Sequence, residues 1–369
     1  MKSSRVVALW LTAALTACGP TTGVDRAAEL SAAVDAWRER TPVPGVVIAV
    51  AGADLDEQMI ASGTLRRGGS EPITINTSFR AGSVTKTLVA SVVLQLVEED
   101  RLGLDDLVLS VRPASDPALA GLLENVTIRD LLGHTSGLPD SARSPELISL
   151  LQSDPDRVWT NDQILNLVSR SQREFAPGTS FGYSNTNYLL LGDVIEELTG
   201  RPWWTEARSR ILTPLEMDDS YMAGFEPPRG VLAPGYFDTD NDGFTEELDQ
   251  TWPALETSEG AAGALVSTVP DLVRFARGLF GDEIIPGRAL EEMTTPGPFS
   301  SRHTGYGLGL EIASPDLETV VWGHGGFVPG YRAVLWHAPV PDLTIVVLTN
   351  ESRSRPDGLA ELALGIATR

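Results

Sequence analysis

The chemistry that the sequence suggests begins at Ser83 and Lys86, three residues apart in the segment FRAGSVTKTLVA. Lysine is rare in this chain: Lys2 and Lys86 are the only two, against 26 arginines. Arginine stays protonated in proteins, whereas a buried lysine can lose its proton and act as a base. A serine is a weak nucleophile until a base removes its hydroxyl proton. The spacing therefore indicates a nucleophile with its own base on one helix face, and the helix start offers the Ser83 N–H to an oxyanion.

The segment FGYSNTNY places a phenol and an amide two residues apart, at Tyr183 and Asn185. A phenolate beside Lys86 could pass the serine proton to a leaving group. The Asn185 side chain could hold a substrate amide. Tyr-Ser-Asn is common by chance, so this motif has little weight on its own.

The segment GHGGFVPGY places His324, Gly325 and Gly326 at the end of a predicted strand. Glycines in a strand let another backbone approach closely, in this case a substrate. The Phe327 N–H is a candidate second oxyanion donor. Taken alone, a glycine-rich turn with a core histidine is the more ordinary interpretation of this segment.

The elements that must position these motifs are strand-rich at both ends of the chain and helical between them. The spacing of apolar residues predicts helices over 27–40 and 83–98, and strands over 45–53 and 58–67. Four β-rich runs and a final helix are predicted in the C-terminal third. We therefore predict one antiparallel sheet built from both ends, with terminal helices on it and a helical domain inserted. The hydrolase unit would span 29–369, with 29–82 and 256–369 as the α/β part and 83–255 as the mostly helical part.

The first 17 residues have the pattern of an export signal. Lys2 and Arg5 precede an apolar run that is too short to span a bilayer. The run ends in Leu-Thr-Ala-Cys, which is similar to the lipobox of bacterial lipoproteins. We expect Cys18, the only cysteine, to be lipidated. Residues 18–28 would then be a tether to the cell membrane, on its extracytoplasmic side.

Composition narrows the possible partners. The 369 residues carry a net charge of −22, so nucleic acid is excluded as an expected partner because phosphate binding needs a basic surface. No cluster with metal-ligand spacing is evident around the four histidines, and no cofactor is expected.

The acidic loop 238–249 follows part of a calcium-loop pattern through Asp238, Asp240 and Asp242. Asp249 and Thr245 depart from the pattern, so a solvated acidic turn is the more ordinary interpretation of that loop.

The three motifs gain weight from their order. S-x-x-K is followed 100 residues later by Y-S-N and 141 residues further on by H-G-G. This order resembles the serine penicillin-recognising family, which includes class C β-lactamases, D-alanyl-D-alanine carboxypeptidases, and related esterases and D-aminopeptidases. The resemblance runs from about residue 30 to the end of the chain. It implies an α/β domain formed by both termini and an all-α domain between them.

The resemblance also implies a role for each motif residue. It implies that Ser83 is acylated, that Lys86 and Tyr183 transfer its proton, and that Asn185 contacts the substrate amide. His324 stands where many relatives have the lysine of a K-T-G triad. The implied substrate edge and oxyanion hole are formed by Gly325, Gly326, Phe327 and the Ser83 N–H.

The expected function is a membrane-tethered serine hydrolase, similar to D-alanyl-D-alanine carboxypeptidases or β-lactamases, acting on a small molecule or a peptidoglycan peptide. A free substrate carboxylate needs a cation, but His324 is only partly charged at neutral pH and Glu311 follows GYGLGL. Arg332 is a candidate replacement. An esterase, a D-aminopeptidase and a catalytically silent cell-wall-binding protein remain alternatives.

Two further residues resemble catalytic groups by type alone. Ser180 lies in GTSFG, which fits the G-x-S-x-G pattern, but Pro177 precedes it where a strand would be required. His134 lies in the loop segment LLGHTSGLP, where we expect it to bond the backbone.

Overall fold

The computed structural model describes residues 26–52, 55–240, 242–248, 251–301, 304–315 and 318–369. The strands are β1 (Gly45–Gly52), β2 (Leu55–Gly63), β3 (Thr77–Arg80), β4 (Tyr221–Met222), β5 (Val231–Leu232), β6 (Tyr236–Phe237), β7 (Glu246–Glu247), β8 (Leu265–Ser267), β9 (Thr304–Tyr306), β10 (Glu311–Ala313), β11 (Val321–Val328), β12 (Tyr331–Ala338) and β13 (Leu343–Thr349). The helices are α1 (Arg26–Arg40), α2 (Val84–Glu98), α3 (Val108–Val111), α4 (Pro117–Leu122), α5 (Ile128–Leu132), α6 (Pro145–Ser153), α7 (Asn161–Val168), α8 (Asn185–Thr199), α9 (Trp203–Ala207), α10 (Pro253–Gly263), α11 (Val269–Phe280), α12 (Gly287–Thr294) and α13 (Pro356–Ala367).

The main sheet is antiparallel and joins the two ends of the described chain. Its strand order is β2-β1-β13-β12-β11-β10-β9, and β1 pairs with β13 from Val46↔Thr349 to Gly52↔Leu343. Because side chains alternate across a strand, Ile48 and Val347 belong to a core under α1 and α13, while Val47 and Val346 belong to the main core on the opposite face. The predicted sheet built from both ends is confirmed.

Helix α2 lies at the centre of the molecule. Twelve of its fifteen residues are buried, and it contacts α8, α10 and β11. A helix that is apolar on nearly all sides must be enclosed by other elements, and here the helical part and the sheet enclose it. This position places the start of α2 between the two parts of the fold.

Most predicted elements have the expected type. The predicted helices over 27–40 and 83–98 correspond to α1 and α2. The GYGLGLEI run differs, because it forms two short strands, β9 and β10, separated by a turn in which Gly309 has φ of +83°. Smaller sheets, ordered β4-β8-β3-β5 and β6-β7, complete the strand content of the described residues.

The predicted export signal and Cys18 lie outside the described residues. Among the residues that the structure describes, no helix has both the length and the apolar composition needed to cross a membrane.

Candidate active site

Ser83 occupies the N-cap position of α2 but does not cap the helix. An N-cap serine ordinarily accepts a hydrogen bond from a backbone N–H of the first turn, whereas the Ser83 side chain makes no such bond. The first helical N–H groups bond backbone carbonyls instead, including Lys86 N–H to the Ser83 carbonyl at 2.9 Å. The hydroxyl is therefore free to face two side chains of the cleft, those of Lys86 and Tyr183.

Lys86 is completely buried and holds three contacts at its Nζ atom. It lies 3.1 Å from Ser83 Oγ, 2.7 Å from Asn185 Oδ1 and 2.8 Å from the Ala262 carbonyl. Burial lowers the pKa of Lys86 to about 8, against opposing contributions from nearby acids, of which Glu259 is the largest. A substantial fraction of Lys86 is therefore neutral in mildly alkaline solution.

Tyr183 completes a triangle around the serine. Its hydroxyl lies 2.9 Å from Ser83 Oγ, and its ring lies 4.9 Å from Lys86 Nζ. Burial raises the pKa of Tyr183 well above its usual value of 10. The structure therefore favours the neutral phenol of Tyr183, which can donate and accept a proton, over the phenolate that the sequence analysis considered.

Asn185 is held by Asp140, a residue that the motif search missed. The Asn185 backbone N–H and Nδ2 both donate to Asp140 Oδ1, at 2.9 and 3.0 Å. These bonds turn Oδ1 of Asn185 toward Lys86. The second hydrogen on Nδ2 of Asn185 is not used by Asp140 and could be donated to a substrate. The contact of Asn185 with a substrate amide stays a prediction.

His134 lies beneath Tyr183 and has a supporting role. Its Nδ1 accepts the Ser184 N–H at 3.2 Å and faces Asn187 Nδ2 at 3.0 Å, and its ring centroid is 4.2 Å from that of Tyr183. Burial lowers the pKa of His134 well below 6.5, so the ring is neutral. The expected backbone bond of His134 is present.

Strand β11 passes directly beside the start of α2. A Cβ added to Gly326 would lie 2.1 Å from the Ala81 carbonyl oxygen, and one added to Gly82 would lie 2.9 Å from the Phe327 nitrogen. Only glycines allow this approach, which brings the Phe327 backbone next to Ser83. A glycine at position 326 is therefore needed for β11 to pack on the start of α2. The sequence analysis predicted a different role, in which Gly326 makes room for a substrate backbone.

His324 is buried, and two polar partners fix its tautomer. Its Nδ1 lies 2.6 Å from the Gly325 carbonyl, which can only accept a hydrogen bond, and its Nε2 lies 3.0 Å from the Tyr306 hydroxyl. Nδ1 therefore carries the proton, and burial lowers the pKa of His324. His324 is neutral at pH 7 and does not supply the charge of a K-T-G lysine.

These groups line one cleft of about 620 Å³. Ser83, Tyr183, Asn185 and His324 all open onto it, together with Gly325, Gly326 and Phe327. Arg332 lies at the same wall, where its guanidinium stacks 4.3 Å over the Phe327 ring and its Nε donates to the Ser352 carbonyl. The structure thus brings together the residues that the three motifs predicted, and adds Asp140, Glu259 and Glu311.

The remaining candidates lie elsewhere. Ser180 is in a turn with no strand before it, as expected for a chance G-x-S-x-G match. In the acidic loop, carboxylates of Asp238, Asp240 and Glu246 lie within 4.8 Å of one another, and Asp238 also pairs with Arg353. The solvated acidic turn stays the prediction for this loop.

Comparison with known proteins identifies the family. The family model described as Beta-lactamase matches residues 30–367. The chain belongs to the Beta-lactamase family. Two relatives are penicillin-binding protein 4 of Amycolatopsis lactamdurans, 30% identical with 86% of this chain and 83% of the relative covered, and esterase EstB of Burkholderia gladioli, 34% identical with 92% and 94% covered.

A solved structure extends the similarity to the whole fold. The D-amino acid amidase from Ochrobactrum anthropi SV3, complexed with D-phenylalanine, is 27% identical and matches with a TM-score of 0.81. The match covers 94% of this chain and all of the amidase chain. The Beta-lactamase family relatives are hydrolases, and this chain is a serine hydrolase of the same fold.

Proposed function

We propose that the protein hydrolyses an amide or ester bond through an acyl-enzyme formed on Ser83. One observation carries the proposal: the Ser83 hydroxyl makes no capping bond to its helix and lies within hydrogen-bond distance of both Lys86 and Tyr183. A nucleophile, a base and a second proton carrier in mutual contact are what acyl transfer to serine requires.

The contacts of Lys86 give the direction of proton transfer. Two of its three partners, the Asn185 amide oxygen and the Ala262 carbonyl, can only accept hydrogen bonds. A neutral Lys86 therefore points its two hydrogens at these oxygens and its lone pair at Ser83. The serine proton passes to Lys86 as Oγ attacks the substrate carbonyl. When the bond to the leaving group breaks, Tyr183 gives that group its phenolic proton, and the proton on Lys86 restores the phenol. Water then attacks the acyl carbonyl, with Lys86 again as base, and releases the acid from Ser83.

The oxyanion would be held by two backbone N–H groups. In the described part of the chain the Ser83 N–H has no backbone acceptor. Val328 and Tyr331 close the β11–β12 hairpin, and N–H groups alternate in direction along a strand. The Phe327 N–H therefore points to the strand edge that faces Ser83. Donors aimed at a developing negative charge typically contribute about 3–4 kcal/mol of transition-state stabilisation each.

The candidate activities are D-alanyl-D-alanine carboxypeptidase-like, β-lactamase-like, D-aminopeptidase- or amidase-like, and esterase-like. Relatives are named as penicillin-binding proteins, D-aminopeptidases, an amidase and an esterase. A neutral His324 and the engagement of Arg332 with Phe327 disfavour a substrate that must present a free carboxylate. Esterase activity is the second candidate, supported by the 34% identity to EstB over 92% of this chain.

We also propose that the protein is lipidated at Cys18 and held on the extracytoplasmic face of the cell membrane. The Leu-Thr-Ala-Cys sequence after a short apolar run supports this. Membrane fractionation compares the wild type with Cys18→Ser. Equal partition of the two proteins would contradict the anchor.

The test of the site is the intact mass of residues 26–369 after mixing with benzylpenicillin, followed over time beside Ser83→Ala. Any adduct or any consumption of penicillin seen with the wild type should be absent from the variant. A lasting adduct indicates a penicillin-binding peptidase, and consumption without an adduct indicates a β-lactamase.

The same proteins are treated with a fluorophosphonate, which labels activated serines without needing penicillin recognition. Labelling of the wild type with untouched penicillin would direct the search to amides and esters. Labelling that survives Ser83→Ala, in a variant with unchanged melting temperature, would refute the assignment of Ser83.

A further inference from the structure

Tyr183 lies in a segment that no helix or strand holds in place. Residues 181–184 are irregular and lead into α8, which begins at Asn185. The proposed proton transfer nevertheless needs the Tyr183 hydroxyl to stay 2.9 Å from Ser83 Oγ. Misplacement of a reacting group by about 1 Å can cost on the order of 100-fold in rate. Some other part of the molecule must therefore fix the backbone and the ring of Tyr183.

The peptide groups on both sides of Tyr183 are bonded to one residue, His134. The Gly182 N–H donates to the His134 carbonyl at 2.9 Å, and the Ser184 N–H donates to His134 Nδ1 at 3.2 Å. The imidazole also lies against the phenol, with the two ring centroids 4.2 Å apart. The main chain, a ring nitrogen and the ring face of His134 thus all contact the segment that carries the phenol.

The backbone of His134 has an uncommon conformation. Its φ is +57°, in the left-handed region that few residues with a Cβ adopt, although histidine is among the better tolerated types. Residues strained in this way persist where the surrounding structure over-determines them, and they cluster at functional sites. In this conformation both the carbonyl oxygen and the imidazole of His134 face residues 182–184.

The hydrogen bond from Ser184 also fixes the tautomer of His134. Because Nδ1 accepts a backbone N–H, the proton of the neutral ring lies on Nε2. Asn187 Nδ2 faces the same Nδ1 at 3.0 Å, and Ser136 orients that amide by donating to Asn187 Oδ1 at 2.7 Å. Protonation of Nδ1 would remove the acceptor from both donors. Complete burial opposes that protonation, since it lowers the pKa of His134 well below 6.5.

The alternative role for His134 is that of a ring that only fills space in an aromatic cluster. The rings of Tyr306, Tyr188 and Phe181 surround the imidazole, with centroids 4.8, 5.4 and 6.1 Å from its own. A space-filling group could be replaced by an apolar side chain of similar size. An acceptor for the Ser184 N–H could not, so the two roles predict different behaviour on substitution.

We propose that His134 is a positioning residue for Tyr183: its carbonyl and Nδ1 hold the peptide groups on either side of the phenol, so that Tyr183 can give its proton to the leaving group. This inference rests on the proposed acyl-enzyme at Ser83 and deepens it by naming what keeps the proton donor in place. His134 transfers no proton itself. Its loss should therefore impair protonation of the leaving group more than attack by Ser83.

The test separates these two steps by the choice of leaving group. p-Nitrophenyl acetate releases a stable anion that needs little help from an acid, whereas phenyl acetate releases a phenolate about as basic as that of tyrosine. Both esters transfer the same acetyl group to Ser83, and kcat/KM compares the transition state of each with free enzyme and substrate. The ratio of the two kcat/KM values therefore measures leaving-group protonation and does not depend on the amount of folded enzyme.

Three variants at the two positions give the expected pattern. Tyr183→Phe removes the phenolic proton and should lower kcat/KM for phenyl acetate about 100-fold more than for p-nitrophenyl acetate. His134→Leu keeps an apolar side chain of similar size without an acceptor, and should shift the ratio in the same direction by about 10-fold, the range for one lost hydrogen bond. His134→Asn keeps an acceptor near the Nδ1 position and tolerates a positive φ, so it should recover most of the wild-type ratio.

The matched control for general destabilisation is Leu364→Ala. Leu364 is buried in the core on the far face of the main sheet, so its truncation leaves a cavity away from Tyr183. This variant should lower the melting temperature and leave the ratio of the two esters unchanged. The fluoride of a fluorophosphonate leaves without a proton, so labelling of Ser83 should persist in the His134 variants.

A measurement on the wild type tests the geometry without any change to the fold. In nitrogen NMR of histidine-labelled protein at pH 7, with the His134 signals assigned by their loss in His134→Asn, Nε2 should carry the proton and Nδ1 should not. A protonated Nδ1 would overturn the proposal, because it could not accept the Ser184 N–H.

The kinetic results can overturn the positioning role as well. Equal losses on the two esters in His134→Leu, with a changed ratio in Tyr183→Phe, would do so, as would a His134→Asn variant no better than His134→Leu. A change of ratio in Leu364→Ala as large as that in His134→Leu would show that the ratio responds to destabilisation alone. Absence of fluorophosphonate labelling at Ser83 in the wild type would instead be a failure of the proposed function.

Discussion

At the scale of single residues, Lys86 differs from an ordinary lysine in its surroundings. It is fully buried, and its Nζ contacts two obligate acceptors besides Ser83. Burial disfavours the ammonium form, while the negative charges of Glu259, Asp140 and Glu311 favour it. The pKa near 8 is the balance of these effects, so a change in one carboxylate should move it.

The first residue-scale prediction concerns Glu259, the carboxylate with the largest effect on Lys86. Removing its charge with Glu259→Gln should lower the pKa of Lys86 further, because a group that favours the ammonium form is lost. The rising limb of kcat/KM against pH, which we expect near pH 8, should move to lower pH by about one unit or less. The measurement is the pH–rate profile of a hydrolysed substrate.

The matched control for that profile is Asp357→Asn. Asp357 lines the same cleft, but it is not among the groups that shift the pKa of Lys86. Its variant should keep the limb in place. A limb that stays fixed in Glu259→Gln, or moves to higher pH, would mean that another group sets the profile.

Sequence reasoning found the residues whose type is rare or whose spacing is local. Lys86 is one of two lysines, and its distance from Ser83 is one helical turn. Glu259 and Asp140 are two of 50 acidic residues, and each reaches the site from a distant segment. No local signal separates them from surface acids, so only tertiary contacts could identify them.

At the scale of elements, the contact between β11 and the start of α2 determines the geometry of the site. Gly326 lies against the Ala81 carbonyl and Gly82 lies against the Phe327 backbone. Gly82 also has φ of +53°, a conformation that disfavours residues with a Cβ. The two proposed oxyanion donors, the N–H groups of Ser83 and Phe327, therefore lie on α2 and β11. These elements can approach each other this closely only because positions 82 and 326 are glycines.

The element-scale prediction compares two adjacent glycines of β11. Gly326→Ala places a Cβ 2.1 Å from the Ala81 carbonyl oxygen, so β11 must move away from α2. We expect a loss of about 1–3 kcal/mol in the free energy of unfolding, and a fall in kcat larger than any rise in KM. In Gly325→Ala the nearest atom, Glu311 Oε2, is 3.7 Å from the added Cβ, an ordinary contact.

The measurement is urea unfolding of both variants, with kinetics on the same samples. The Gly325→Ala variant should unfold near the wild-type urea midpoint. No prediction is made for its kcat and KM, because Gly325 lies at the edge of β11 where the substrate is expected. Equal stability of the two variants would show that β11 tolerates displacement from α2.

Element types followed from periodicity where a segment was long enough to show it. The apolar spacing of α2 and the unbroken apolar runs of β1 and β13 gave the correct elements. Strands of two or three residues, such as β4 and β8, carry no period and were not predicted. These short strands pair only because the longer elements bring them together. No local sequence pattern indicates that arrangement.

At the scale of the whole molecule, both ends of the described chain meet in the sheet that carries the β11 side of the active site. Strands β1 and β13 are neighbours, and α1 contacts α13 on the outer face of the sheet. The inner face packs on the core that contains α2. Strand β11, which carries His324, belongs to the same sheet. Weakening the packing of α13 on this sheet should therefore also destabilise the active site.

The whole-molecule prediction tests this connection with two leucines of α13. Leu359 is fully buried against the sheet, and Leu362 is 38% exposed on the same helix. Leu359→Ala should cost about 2–5 kcal/mol through a cavity and lost burial, whereas Leu362→Ala should change stability by less than about 0.5 kcal/mol. Both substitutions keep a good helix former, so the difference reports packing of α13 on the sheet.

Hydrogen exchange of the α2 peptide, followed by mass spectrometry, measures how far that loss spreads. If sheet and site unfold as one unit, Leu359→Ala lowers the protection of α2 by the same free energy that circular dichroism gives for global unfolding. Leu362→Ala should leave both values unchanged. Protection of α2 that persists while the sheet is destabilised would show that the helical part folds independently, and the site would then not depend on the terminal helix.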